Sequence, residues 1–167
     1  WGGLPGKLLI GLLILLPAGI ALIWLKTQPQ ANMLILTVML MVWAADIGAY
    51  FSGRAFGKRK LAPAVSPGKS WAGLYGGLLA SVLVAAVCGL LLGLSAGQLV
   101  LFVPAAAVVV LFSVIGDLTE SMFKRTAGIK DSSNLLPGHG GVLDRIDSLT
   151  AALPLFALLM LLTGWLA

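Results

Sequence analysis

The sequence predicts an all-α, polytopic integral membrane protein with about five transmembrane helices and two basic cytoplasmic segments. Three observations lead there. Hydrophobic residues are 59% of the 167 and charged residues only 10%, whereas soluble domains carry roughly a quarter charged residues. Five stretches reach the length of about 20 mostly apolar residues that a spanning helix needs. Nearly all the positive charge then falls on one side of the resulting topology.

The five spans are Lys7–Leu25, Ala31–Phe51, Ser70–Leu94, Leu99–Leu118 and Leu149–Leu166. Pro17 and Pro104 lie within spans, where lipid-embedded helices tolerate proline, and they mark candidate kinks. Ser95–Gln98 makes a tight uncharged turn, and the longer polar segments are 52–69 and 119–148. Residues 1–167 therefore form one membrane domain. The chain opens on Trp1 without the short apolar region and small-residue cleavage site of a signal peptide, so its start is expected to be a cut. Gly73 with Gly77 and Gly89 with Gly93 mark the third span for close helix contact, either with another span or with a second copy in a homodimer. Cys88, the single cysteine, has no disulfide partner and is expected to pack.

Charge orients the topology. Arg54, Lys58, Arg59, Lys60 and Lys69 lie in the first polar segment, Lys124, Arg125, Lys130 and Arg145 in the second, and Lys7 falls on the same side. Only Lys26 of the 11 cations lies opposite. The positive-inside rule makes the basic face cytoplasmic and the protein a multi-pass component of the cell inner membrane. The net charge of +5 is therefore expected to meet membrane lipids and phosphorylated substrates, with no nucleic acid as partner.

All six acids lie on that face or at the span ends that reach it: Asp46, Asp117, Glu120, Asp131, Asp144 and Asp147. An acid near the hydrocarbon costs about 2.5 to 3.5 kcal/mol on insertion scales, which makes Asp46 and Asp117 functional candidates; pairing with loop lysines is the plainer alternative. If the fourth span continues as a helix, Asp117, Glu120, Ser121 and Lys124 share one face by their i, i+3, i+4, i+7 spacing. Asp144, Asp147 and Ser148 repeat i, i+3, i+4 before the fifth span. Carboxylates converging from two helices, without a His or Cys cluster, suit a hard divalent ion such as Mg²⁺ that shares its ligands with phosphate. Stabilisation of a helix N-terminus is the bland reading of Asp144 and Asp147.

Between these stripes, Pro137-Gly138-His139-Gly140-Gly141 must be a turn or loop. Its glycines let backbone N–H groups approach phosphate oxygens, with Lys124, Arg125, Lys130 and Arg145 supplying charge. His139 is the only histidine, yet a phosphate monoester with a second pKa of about 6 is largely ionised at neutral pH and needs no general base. A hydrogen bond to phosphate or a structural turn contact is the preferred role. The stretch "SPGKS", Ser66 to Ser70, looks like the end of a P-loop, but the required glycine is Pro63 and no buried strand precedes it. It is expected to be a turn presenting Lys69 to substrate phosphate or lipid headgroups.

Ser121, Lys124-Arg125, Lys130-Asp131, Leu136-Pro137, His139-Gly140-Gly141 and Asp144-Arg145-Ile146-Asp147 together resemble the signature of the phosphatidate cytidylyltransferase (CDP-diacylglycerol synthase) family. "GDLTESMFKR" and "SPGKSWAG" resemble its bacterial members, extending the likeness over most of the chain. The resemblance implies a Mg²⁺-dependent nucleotidyltransferase that makes CDP-diacylglycerol and pyrophosphate from CTP and phosphatidic acid in phospholipid biosynthesis. It implies metal binding at Asp117 and Asp144 first, with Asp147, Asp131 and Asp46 behind them. It also implies Lys69, Lys124, Arg125 and Lys130 facing phosphates, supported by Ser66 and Ser121. Bacterial members carry further spans before the point where this chain begins, so the chain resembles their C-terminal catalytic portion.

Two alternatives weigh less. Transfer of a phosphoalcohol from a CDP-lipid needs a differently spaced aspartate cluster. A membrane transporter or channel with a cytoplasmic anion-binding site predicts polar residues running through the spans to both faces, and here the outer side is nearly bare.

Overall fold

The computed structural model describes residues 3–133, 135 and 140–165. Among the described residues five helices carry the chain: α1 Leu4–Lys26, α2 Ala31–Phe56, α3 Trp71–Leu91, α4 Ala96–Thr126 and α5 Leu143–Thr163. Each is long and apolar enough to cross a membrane. The helices run through Pro17, Pro104 and also Pro154 without breaking. Leu8, Leu12, Leu16 and Ile23 of α1 stay exposed, as lipid-facing positions do, while Leu25, Leu34, Val38, Met41, Phe102, Val109 and Phe156 are fully buried between helices.

The helices overrun the apolar stretches at one end of the bundle. α2 continues to Phe56, α4 to Thr126, and α5 starts at Leu143. At 1.5 Å per residue the 31 residues of α4 extend about 46 Å, against about 30 Å of hydrocarbon. Much of the segment expected as polar connection, 119–148, is thus helix. The helix continues past the end of the apolar run, and there Ser121 bonds back to Asp117 on α4 while Lys124 reaches Asp144 of α5 at 2.7 Å.

Ser66–Ser70 is not a free turn. It forms β2, which pairs antiparallel with β1, Lys60–Ala62, in the register Lys60 with Ser70 and Ala62 with Ser66. Residues 63–65 make the turn, closed by Val65 N–H donating to the Ala62 carbonyl at 3.2 Å. The hairpin is pinned at its base. Trp71 N–H donates to the Arg59 carbonyl at 3.1 Å, and the Arg59 guanidinium sits 5.6 Å from the Trp71 ring. Ser70 then caps α3 by accepting from Gly73 N–H at 3.1 Å.

The small-residue stripe of α3 packs on α2 of the same chain. A Cβ on Gly77 would meet the Ala45 carbonyl oxygen at 2.6 Å, so only glycine permits this approach. Ser81 Oγ donates to the Met41 carbonyl across the same seam at 2.6 Å. Gly89, the other expected contact point, faces Leu99 and Phe102 of α4. Cys88 is buried and free, as expected of a packing residue.

Candidate functional site

The polar site is built where the hairpin, the end of α4 and the start of α5 meet. Gly116 brings the two helices together: a Cβ there would lie 2.6 Å from Ala151 Cβ and 3.4 Å from the Asp147 carbonyl oxygen. The next residue, Asp117, begins the acidic face of α4. The close approach sets Asp117 and Glu120 beside Asp147, within electrostatic reach of both.

Asp117 is held from two sides. Lys69 of β2 forms an ion pair with its Oδ2, and Ser121 Oγ, one turn on, donates to Oδ1 at 3.3 Å. These groups open on a cavity of about 230 Å³ between α2, the hairpin, α3, α4 and α5, which Asp46, Lys69, Ser70, Ser113, Asp117 and Ser148 share with apolar neighbours. Asp46 reaches this cavity from α2 and feels the charges of Asp117, Asp147 and Lys69. The helical spacing of Asp117, Glu120, Ser121 and Lys124 on one face holds because α4 does continue through them.

Asp144 anchors the second half of the site. Its Oδ1 accepts from Lys124 Nζ at 2.7 Å, and its Oδ2 accepts from Ser132 N–H at 2.9 Å, Ser132 Oγ at 3.0 Å and Gly141 N–H at 2.8 Å. Such charge-assisted bonds are stronger than neutral ones. They tie the connection between α4 and α5 to the start of α5. Gly141 directs its N–H at this aspartate, and a Cβ there would meet Ser132 Oγ at 2.0 Å, so glycine is required by contact with Ser132. Lys124 also lies 3.3 Å from Glu120 Oε1, in ion-pair reach, although neither Glu120 oxygen has hydrogen-bond geometry to a described partner and both are buried.

A second, larger cleft of about 770 Å³ opens between α1, α4 and α5. Glu120, Lys124 and Ser132 line it, together with apolar side chains such as Ile10 and Ile14 of α1. Glu120 and Lys124 thus stand at the edge between the ionic cluster and an apolar groove.

Other predicted residues lie further out. Ser66 pairs with Ala62 in the hairpin and does not line the 230 Å³ cavity, whereas Ser70 does. Arg125, Lys130 and Arg145 are exposed around the rim. Asp131 is exposed, and its Cβ would lie 3.4 Å from a Cβ added at Gly140. His139, with Leu136, Pro137 and Gly138, lies outside the described residues. Sequence reasoning did not single out Ser132 or give Glu120 a role of its own. Ser132 follows Asp131 and carries no motif of its own, while the spacing of Glu120 before Lys124 was the available signal.

Carboxylates from two helices, with no soft ligand among them, fit a hard divalent ion. Among the described residues no three His, Cys, Asp or Glu side chains gather closely enough to form an all-protein cage. Mg²⁺ is commonly held by one or two carboxylates together with water and substrate phosphate. The Asp144 Oδ1 and Asp117 positions, each facing a lysine, are the oxygens such an ion would use.

Comparison with known proteins extends this picture. The sequence pattern described as "Cytidylyltransferase family" matches residues 6–163. The chain is 66% identical over 165 residues to a phosphatidate cytidylyltransferase of Pseudomonas aeruginosa, covering 99% of this chain and 61% of that protein. Proteins of the same name from Haemophilus influenzae and Staphylococcus epidermidis are 59% and 44% identical, over 74% and 83% of this chain. The chain spans 44% and 53% of those two relatives, so it corresponds to about half the length of such proteins.

Proposed function

The chain belongs to the cytidylyltransferase family, and on that premise we propose that it is the catalytic portion of a phosphatidate cytidylyltransferase. The reaction joins CTP to phosphatidic acid, yielding CDP-diacylglycerol and pyrophosphate for phospholipid synthesis. One observation carries the reading: the two motifs of the resemblance, on α4 and at the start of α5, meet in the contact of Lys124 with Asp144 at 2.7 Å. Their junction lies at the basic end of a membrane-spanning bundle, where a water-soluble nucleotide can meet a lipid phosphate.

A phosphate oxygen of phosphatidic acid attacks the α-phosphorus of CTP, and the bond from that phosphorus to the departing pyrophosphate breaks. The ionised phosphate needs no base, so the protein acts mainly by positioning and by neutralising charge. Lys69 and Lys124 are already turned into the site by Asp117 and Asp144, and they hold the phosphates. Arg125, Lys130 and Arg145, exposed at the rim, draw in the anionic substrates. Ser121 steadies Asp117 through its 3.3 Å hydrogen bond, and Ser132 and Gly141 steady Asp144. Asp117 and Asp144 would hold Mg²⁺, with Asp147, Asp131 and Asp46 contributing charge nearby. When bound, Mg²⁺ supplies charge neutralisation on the triphosphate. His139, outside the described residues, and Gly140 support phosphate binding rather than proton transfer.

Ten of 11 cations share the hairpin side of the topology, which supports a cytoplasmic active site in the cell inner membrane. A homodimer is compatible with this role, although the Gly73 and Gly77 stripe is already occupied by α2. Membranes carrying the intact protein are expected to transfer label from the α-phosphate of CTP into lipid only when phosphatidic acid is supplied. Label release as nucleotide monophosphate, with none in lipid, would reject the assignment.

A further inference from the structure

Asp144 has one oxygen open to a further cation, and Lys124 holds it. Oδ2 receives three donors, from Ser132 N–H at 2.9 Å, Ser132 Oγ at 3.0 Å and Gly141 N–H at 2.8 Å, which fills the acceptor capacity of a carboxylate oxygen. Oδ1 faces Lys124 Nζ at 2.7 Å, with only a longer contact of 3.2 Å from Ser132 N–H beside it. A divalent ion that takes Asp144 must therefore displace this ammonium.

The displaced ammonium has somewhere to go. Glu120 precedes Lys124 by one helical turn, and its Oε1 is 3.3 Å from the same Nζ. Both Glu120 oxygens are buried and unpaired by strict hydrogen-bond geometry, with the Lys124 ammonium and the Asp147 carboxylate the side chains close enough to interact, and of these only Lys124 brings an opposite charge. A buried acceptor left unpaired is costly, so Glu120 gains most from a full contact with Lys124. We infer that Lys124 is a two-position counter-ion, resting on Asp144 or on Glu120, and that Glu120 is a positioning residue that receives the ammonium when Asp144 engages a divalent cation. The inference rests on the reading of Asp144 as a metal ligand. Because the two acceptors are so close, the exchange needs only a change of side-chain rotamer and keeps the positive charge beside the substrate phosphates.

The test is Mn²⁺ affinity of the intact protein without nucleotide, followed by electron paramagnetic resonance. Glu120→Gln is expected to weaken Mn²⁺ binding about tenfold, Lys124→Met to strengthen it, and the double variant to match Lys124→Met alone, because the role of Glu120 passes through Lys124. Lys124→Gln supplies a second background should the methionine variant fold poorly. Equal weakening by Glu120→Gln with and without Lys124 would overturn the exchange by showing that Glu120 acts on the ion directly, and no weakening in either background would overturn it too. Asp144→Asn distinguishes the underlying reading: binding undiminished in that variant, or absent from the wild type, removes the metal assignment and the exchange with it.

Discussion

Lys69 and Asp117 form an ion pair that joins the β-hairpin to α4. The two residues are 48 positions apart by number (117 minus 69), yet the contact fixes a strand lysine of the hairpin against an acid near the end of the apolar run of α4. It makes the hairpin part of the site.

Lys69→Ala should therefore act on substrate capture. The KM for CTP or for phosphatidic acid is expected to rise roughly tenfold, the scale of one lost charge-assisted contact. Steady-state kinetics in detergent micelles with each substrate varied in turn would check this. Unchanged KM values for both would return the hairpin to headgroup contact.

Ser132→Ala removes one of three donors to Asp144 Oδ2 and leaves the two backbone N–H donors in place. A lost hydrogen bond to a charged group is worth about 1.5 to 3 kcal/mol, less where other donors remain. A fall in kcat of about tenfold is expected, partly restored by Ser132→Thr. No change in kcat would mean that the backbone donors alone set the aspartate.

Gly116→Leu should force α4 and α5 apart, since even a Cβ would lie 2.6 Å from Ala151 Cβ. Overpacking of this kind costs about 1 to 3 kcal/mol, and here it also separates Asp117 from Asp147. Both thermal stability in detergent and activity are expected to fall. Gly97→Ala, where nothing lies within 4 Å of the added methyl, is the control and should leave both unchanged.

Much of this architecture is legible in the sequence, for a physical reason. Lipid demands long apolar runs, so the five spans appear directly as hydropathy, and the i, i+4, i+7 spacing places Asp117, Ser121 and Lys124 on one helical face by periodicity alone. Span ends are harder to read. Hydropathy marks where the apolar run stops, at Leu118, whereas the helix itself continues to Thr126. The hairpin was hidden because β1 has only three residues and β2 contains both Pro67 and Gly68. Ser132 gave no signal because its importance comes from Asp144, 12 residues away, and folding alone brings the two together. Glu120 looked like one more acid on the stripe, and only its burial distinguishes it.

The central claim is that Asp117 and Asp144 together make the site competent to transfer a cytidylyl group onto a lipid phosphate with a divalent ion. The most direct measurement supplies labelled CTP and phosphatidic acid to membranes bearing the intact wild type, Asp117→Asn or Asp144→Asn, with and without a chelator. Labelled lipid is expected from the wild type only when divalent metal is present, and a loss of about a hundred- to a thousandfold from either variant, the scale on which removal of a transition-state electrostatic contact falls. Undiminished labelling by both variants, or by the wild type after chelation, would contradict the account.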